Sequence, residues 1–415
     1  MTKNTNTQRN LWENPWGYVE SFLIGVGLMI TGFLLEASIG HKALHFTYPA
    51  NVYILIVYCV GLVALYYYFR KQIVISWLAD IPSAISSIVL VTFLVLIMGI
   101  IPQVPTQNTL INTLGLNEIT SNWAFLLVFL QFLTGLGLAA IKRLFQLSRA
   151  NTGFILNHLG LFIVLLSGFL GSGDLQRLTL DTYENQLSWV ARDANQQAYE
   201  LPFAVYLNDF NIEEYAPKLA LVDNHSGQIM HNNGKNLYHI AKGKTYYYDR
   251  YKVHIDDYIN SSGFVGGRYL PVNEPGSPPS ALIKIEHLDN KEVVKGWISC
   301  GSFRYPYRSL KVDADVSMVM TFPEVKKFSS NVDIITPDQK KAFKTIEVNK
   351  PVKFQGWTIY QLSYDEQKGK WSNKSVLELV KDPWLPVIYW GIFMMIAGAV
   401  YMFWTGSRIT KKHEV

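Results

Sequence analysis

Phe154–Leu170 reads FILNHLGLFIVLLSGFL, an apolar run broken by one ionisable side chain, His158. Such a run is close to the length a helix needs to cross a hydrocarbon core of roughly 30 Å. Directly after it the chain changes character. From about Ser172 to Pro383 it is polar, aromatic and β-branched, and a last apolar run follows at Pro386–Trp404. A large folded insert between two apolar helices decides the class of this protein.

Working back toward the N-terminus, four more runs of the same kind stand at Val19–Leu35, Val52–Phe69, Ala84–Ile101 and Trp123–Ile141. Trp16, Tyr18, Trp77, Trp123, Trp384 and Trp404 sit at run ends, where amphipathic rings favour the headgroup layer. With 49% hydrophobic and 14% aromatic residues, the composition agrees with six transmembrane helices. The first run has no small-residue cleavage site behind it and reads as a retained helix.

The short connections alternate in basic charge. One side carries ten Lys and Arg residues: Lys3, Arg9, Arg70, Lys71, Lys142, Arg143, Arg149, Arg408, Lys411 and Lys412. The short loops of the other side carry only Lys42. Positive charge stays inside, so both termini are expected in the cytoplasm and the insert outside. The insert holds 26 basic and 26 acidic residues, so the net charge of +5 belongs to the helical part, and no nucleic-acid partner is expected.

The expected fold is therefore a polytopic α-helical membrane protein: residues 1–171 with five transmembrane helices, 172–383 as a mainly β extracytoplasmic domain, and 384–415 as a sixth helix with a short tail. Strand-like stretches occur at Phe203–Leu207, Thr245–Ile255, Ala281–Ile285 paired with Val293–Ile298 across Asp289-Asn290, and Leu310–Phe322. They predict a sandwich or a curled sheet. Gly135/Ala139 and Ser167/Gly171 are candidate helix contacts.

The two cysteines, Cys59 within a span and Cys300 in the insert, cannot meet, so no internal disulfide is expected. There is no C-x-x-C and no C-x-x-C-H, hence neither a thiol-redox pair nor an attachment site for covalent haem. Nucleotide-binding and hydrolase signatures are also missing. Among single residues His158 carries most information, roughly one helical turn in from the basic end of its span. One reading is a packing histidine bonded to a carbonyl or to Gln131; the other is a haem or metal ligand or a proton-path group, with Asn157 or Gln131 orienting the ring. His41 and His45 read as interfacial; His225, His231, His239, His254 and His287 read as surface residues. Glu36, near a span end, is expected to reach water.

Four blocks resemble a known family: Trp12-Glu13-Asn14-Pro15-Trp16-Gly17-Tyr18, Asn157-His158-Leu159-Gly160, Gly356-Trp357-Thr358-Ile359-Tyr360-Gln361-Leu362-Ser363-Tyr364, and Asp382-Pro383-Trp384-Leu385-Pro386. Together they resemble ResB-type cytochrome c biogenesis proteins. The resemblance implies a subunit of the System II haem c synthase complex. There, with a CcsA-like (ResC-like) membrane partner, it would take part in moving haem across the membrane and delivering it to apocytochrome c. It implies non-covalent haem b shared with that partner, with His158 as one axial ligand of the iron and the second ligand from the partner. The partner family's W-G-x-x-W-x-W-D segment is not in this chain, which therefore resembles the ResB half alone and no self-sufficient enzyme. Typical relatives have three spans before the domain, and five are read here. The alternative function is a cofactor-free scaffold or sensor, anchored in membrane lipid, whose domain binds a protein.

Overall fold

The computed structural model describes residues 10–40, 46–230, 237–248 and 250–410. His41, His45 and His231 lie outside the described residues. The chain forms two compact units, one of residues 1–175 with 382–415 and one of residues 176–381.

The first unit contains α1 (Tyr18–Ile39), α2 (Ala50–Phe69), a short α3 (Ile73–Leu78), α4 (Ile81–Ile100), a short α5 (Thr109–Thr113), α6 (Trp123–Leu144), α7 (Thr152–Gly171) and α8 (Leu385–Thr410). The six longer helices are long and apolar enough to cross a membrane. The starts of α1, α6 and α8 are written in polar side chains that satisfy free N–H groups. The Glu20 carboxylate folds back to accept the Gly17 N–H at 2.8 Å and the Trp12 N–H at 3.3 Å. Asn122 Oδ1 accepts the Ala124 N–H at 2.8 Å, and Asp382 Oδ1 accepts the N–H groups of Trp384 and Leu385 at 3.0 and 3.1 Å. Glu36 overturns its expectation. It is 2% exposed and accepts the Trp123 N–H at 3.1 Å, so its carboxyl group lies at the start of α6 instead of in water.

The N-terminal block has a packing role. Trp12, Trp16 and Trp77 stack edge to face with centroids 5.6 Å apart at each step, and Trp77 Nε1 donates to Ser21 Oγ at 2.7 Å. This seats α3 on the start of α1.

Helix contact rests on glycines other than those expected. A Cβ on Gly160 would stand 2.6 Å from the Gly391 carbonyl, one on Gly391 would stand 2.7 Å from the Gly160 carbonyl, and one on Gly398 would stand 2.7 Å from the Asn157 nitrogen. Gly153, seven residues before Gly160, meets Met402 and Tyr401 in the same way. Two glycines seven apart on each helix thus let α7 and α8 run antiparallel with backbones nearly touching, the close approach that small residues permit where no water drives helices together. Of the expected positions, Gly135 instead admits the Leu78 carbonyl at the end of α3, and Gly171 admits the Trp384 ring.

At the other end of this helix pair one carboxylate collects three donors. Asp174 accepts from the Tyr48 N–H at 2.8 Å, Asn51 Nδ2 at 2.7 Å and Trp384 Nε1 at 2.7 Å, and Asn51 also donates to the Leu170 carbonyl at 3.1 Å. The starts of α2 and α8 and the end of α7 are tied at one point.

The second unit begins with β1 (Gln176–Tyr183), β2 (Leu187–Arg192), β3 (Ala198–Glu214), β4 (Lys218–Asp223), β5 (Tyr238–His239), β6 (Thr245–Tyr248), β7 (Tyr251–Ile259), β8 (Ser262–Val265) and β9 (Arg268–Pro271). It continues with β10 (Ser280–His287), β11 (Val293–Ser299), β12 (Leu310–Lys311), β13 (Val316–Met320), β14 (Val325–Ile335), β15 (Lys341–Glu347), β16 (Val352–Phe354), β17 (Trp357–Tyr364) and β18 (Lys374–Lys381). The β10–β11 hairpin is the expected one. Thr245–Ile255, read as one strand, is the β6–β7 hairpin, because the run of aromatic and β-branched residues hides the turn between Tyr248 and Tyr251.

Eight strands form one antiparallel sheet in the order β15-β14-β3-β2-β1-β18-β17-β16, with β1 and β18 in register from Gln176↔Lys381. The sheet curls on itself, since Ser330 on β14 donates to Gln361 Oε1 on β17 at 2.6 Å and lies 2.7 Å from Ser375 Oγ on β18. Gln361, the polar residue in the Trp357–Tyr364 block, is thereby buried with partners rather than against apolar side chains alone. Two four-stranded sheets, β11-β10-β7-β6 and β12-β13-β4-β5, close over a second core of Val253, Ile255, Ile283, Ile298 and Met318.

Two substitutions test this frame. Gly160→Leu forces α7 and α8 apart at a cost of about 2 kcal/mol or more, read as a lowered Tm of the detergent-purified protein. Asp174→Ala leaves three donors without their acceptor and costs about 2 kcal/mol, whereas Asp174→Asn, which keeps one carbonyl oxygen, loses less; the ranking of the two melting temperatures checks the assignment.

Candidate functional site

His158 is the seventh residue of α7, about 9 Å along the axis from Thr152. It lines a cavity of about 280 Å³ among α3, the start of α4, α6 and α7. Each wall has a local cause. Gly135 lets the end of α3 sit on α6, and the turn after it delivers Asp80 as the residue preceding α4. Lys142 and Arg143 close the last turn of α6, where the negative helix end favours cations. Asn151, before α7, accepts from Arg143 Nη1 at 3.2 Å and donates to the Gln146 carbonyl at 2.8 Å, folding the basic turn back toward α7.

Within the cavity the side chains form a ladder. The Arg143 guanidinium carbon lies 5.2 Å from the Phe154 ring centre, and the Phe154 ring stacks on His158 with centroids 3.6 Å apart and planes 17° apart. His158 Nδ1 is 3.0 Å from the Phe154 carbonyl. A carbonyl only accepts, so Nδ1 carries the proton and the neutral ring keeps its lone pair on Nε2. The imidazole is half-buried, covered by Phe154 on one face, and its tautomer is set.

The ring is therefore oriented by a backbone carbonyl, and neither Asn157 nor Gln131 does this. The backbone nitrogen of Asn157 faces Gly398 of α8. Gln131 is 7% exposed and points toward α1 and α4, with its Oε1 3.7 Å from where a Cβ on Gly25 would stand. Among the described residues neither atom of its amide has a hydrogen-bond partner.

Chemically, the cavity offers one nitrogen lone pair, two cations against the single carboxylate of Asp80, and apolar walls from Phe132, Leu136 and Leu161. That set suits a flat apolar ligand with acidic groups and an electrophilic centre. The volume lies at the low end of the ~300–1,000 Å³ usual for small-molecule sites, so a large ligand would be held along one edge. Among the described residues no three His, Cys, Asp or Glu side chains gather as a metal site. Lys142 and Arg143 entered the sequence reading only as topology charges, and Phe154 only as the first residue of an apolar run. The i, i+4 spacing of Phe154 and His158 was the signal available.

The β-rich unit has a cleft of its own, about 540 Å³, between its two cores. Cys300 lies at its base, 2% exposed, and burial pushes the thiol up to about 12. At neutral pH the thiol is protonated, which disfavours attack by the thiolate. Among the described residues the histidines of this unit form no cluster: His225 pairs with Asp315 at 3.0 Å, and His254 lies 2.9 Å from Thr245 Oγ1.

The model of the ResB-like family matches residues 298–376, a stretch that lies within the β-rich unit and includes the Trp357–Tyr364 block. Over that stretch the chain is similar to ResB-like cytochrome c biogenesis proteins. No curated protein matches the chain. Cys300 in the folded protein should resist iodoacetamide at pH 8 and react fully in denaturant, as followed by mass spectrometry; rapid labelling of the native protein would contradict its burial.

Proposed function

We propose that this chain is a membrane subunit of a cytochrome c biogenesis complex that handles haem non-covalently together with a CcsA/ResC-like partner. In this reading the basic ends of the helices face the cytoplasm, and the β-rich unit stands on the opposite, periplasmic side of a bacterial inner membrane. The observation that carries it is the His158 imidazole, fixed by the Phe154 carbonyl with its Nε2 lone pair unspent, in a cavity that also holds Arg143 and Lys142. The family match over residues 298–376 supports the same process from the other unit.

The residues suit haem b as one side of a shared site. Bound there, haem supplies an iron that takes an imidazole nitrogen and two propionates that need cations. His158 would give the axial nitrogen, and the Nδ1–H to carbonyl bond would raise its basicity and hold the ring plane. Arg143 and Lys142 would receive the carboxylates, Arg143 through its planar fork. Phe132, Leu136 and Leu161 would exclude water from the ring edge. The small cavity would leave the rest of the group to residues of the partner, and the thioether chemistry to a site where apocytochrome thiols are presented.

The test is the reduced absorption spectrum of the complex purified in detergent with its CcsA-like partner. His158→Ala should lose the haem bands and regain them with added imidazole. Arg143→Ala should keep the bands but release haem several-fold faster to apomyoglobin, about the effect of losing one charge-assisted hydrogen bond. An unchanged His158→Ala spectrum with normal cytochrome c assembly would put the scaffold function in its place.

A further inference from the structure

A second hollow in the helical unit, about 330 Å³, lies where the end of α2, the short α3 and the last turn of α6 meet. Its lining is three cations, Arg70, Lys71 and Lys142, two hydroxyl side chains, Tyr66 and Ser76, and the apolar Ile75 and Ala79. Among the described residues no carboxylate belongs to it. The alternation of loop charge accounts for how many basic residues stand on this side of the helices. It does not account for three of them, from two distant parts of the chain, lining one hollow.

Like charges so gathered repel one another unless an anion stands among them. Among the described residues the protein supplies none, since Arg70, Lys71 and Lys142 form no ion pair there. Asp80, next to Ala79 in the chain, lines the cavity beside His158 and pairs with none of the three. Lys142 lines both cavities, whereas Arg70 and Lys71 line this hollow and not the other. Arg143, the cation beside Lys142, is engaged elsewhere, with Asn151 Oδ1 and over the Phe154 ring.

The two hydroxyls are unspent as well. Neither Tyr66 nor Ser76 makes a side-chain hydrogen bond among the described residues. Tyr66 is 8% exposed, and its ring stacks on Phe145 with centroids 5.5 Å apart, so packing fixes its place in the wall. A guanidinium, two ammonium groups and two hydroxyls around an acid-free hollow form a donor set for a phosphate.

What carries that phosphate is decided by the surroundings. Tyr67, Tyr68 and Phe69 on the last turn of α2 are exposed, and so are Ile73 and Val74 on α3. α2 is one of the helices long and apolar enough to cross a membrane. A free phosphate gains nothing from such a surface. An amphiphile sets its charge among the cations and its chains against the apolar side chains, and basic pockets between helices at a membrane face suit anionic headgroups. We propose that this hollow binds an anionic phospholipid, with Arg70, Lys71 and Lys142 around the phosphate, Tyr66 and Ser76 donating to its oxygens, and the acyl chains lying along the exposed side of α2 and α3. The site is independent of haem at His158.

The experiment titrates the delipidated full chain in detergent with phosphatidylglycerol carrying a fluorescent acyl chain, read by fluorescence anisotropy, and repeats it with the same probe on a phosphatidylcholine headgroup. Phosphatidylglycerol should saturate a single site. Phosphatidylcholine, whose phosphate carries its own cation, should bind about tenfold more weakly. R70Q/K71Q should weaken phosphatidylglycerol binding about tenfold or more, at about fivefold for each charge removed, with Tm unchanged because both side chains are exposed. R149Q, which removes a charge from the same side of the helices but outside the hollow, should leave the affinity as it is. Equal affinity in R70Q/K71Q, an equal loss in R149Q, or equal binding of the two lipids overturns the proposal. Displacement of the probe by millimolar inorganic phosphate would make the ligand a soluble anion and overturns it too.

Discussion

The antiparallel contact of α7 and α8, backbone against backbone through Gly153, Gly160, Gly391 and Gly398, is the constraint on which the helical unit depends. A side chain at any of these positions would meet a neighbouring backbone or side chain well inside contact distance. Asp174 adds a polar tie at the end of the same pair, where it gathers donors from the starts of α2 and α8. In the β-rich unit the same economy appears in another form. β1, which follows α7 in the chain, and β18, which precedes α8, are hydrogen-bonded over their whole length. Each unit thus joins the two ends of the insertion by its own means, one by close packing and the other by a ladder.

With α7 held on that side by α8, its opposite face is left to α6 and the turn after α3. There Phe154 and His158, one helical turn apart, can stack, and Arg143 can close over them. An imidazole in apolar surroundings needs a polar partner. The Phe154 carbonyl supplies it without taking the second nitrogen. The same local bond that makes His158 tolerable within a packed helix bundle leaves it fit to be a ligand, so its packing role and its proposed chemical role do not compete.

The cavity beside His158 and the cleft of the β-rich unit differ in their linings. The one beside His158 is small, basic and apolar; the one in the β-rich unit is larger and aromatic. Cys300 is the residue in that cleft that invites a redox reading, and burial disfavours that role by keeping its thiol protonated.

The sequence by itself determined the elements whose physics is local or compositional. Apolar runs of helix length became α1, α2, α4, α6, α7 and α8, each long and apolar enough to cross a membrane. Short β-branched stretches between turn residues became strands, and the Asp289-Asn290 hairpin formed where it was read. What only the tertiary structure decided are the relations between distant residues. Glu36 was read as reaching water, yet it lies on the start of α6, which an isolated helix cannot foretell. Gly135/Ala139 stood out by spacing, yet α7 and α8 approach through glycines seven apart on two segments separated by more than two hundred residues. Lys142 and Arg143 read as orientation signals until α6 and α7 brought them beside His158. Gln131, a plausible neighbour of that ring by sequence, turned to Gly25 of α1, because which face of a helix meets which partner is set by packing across the whole bundle.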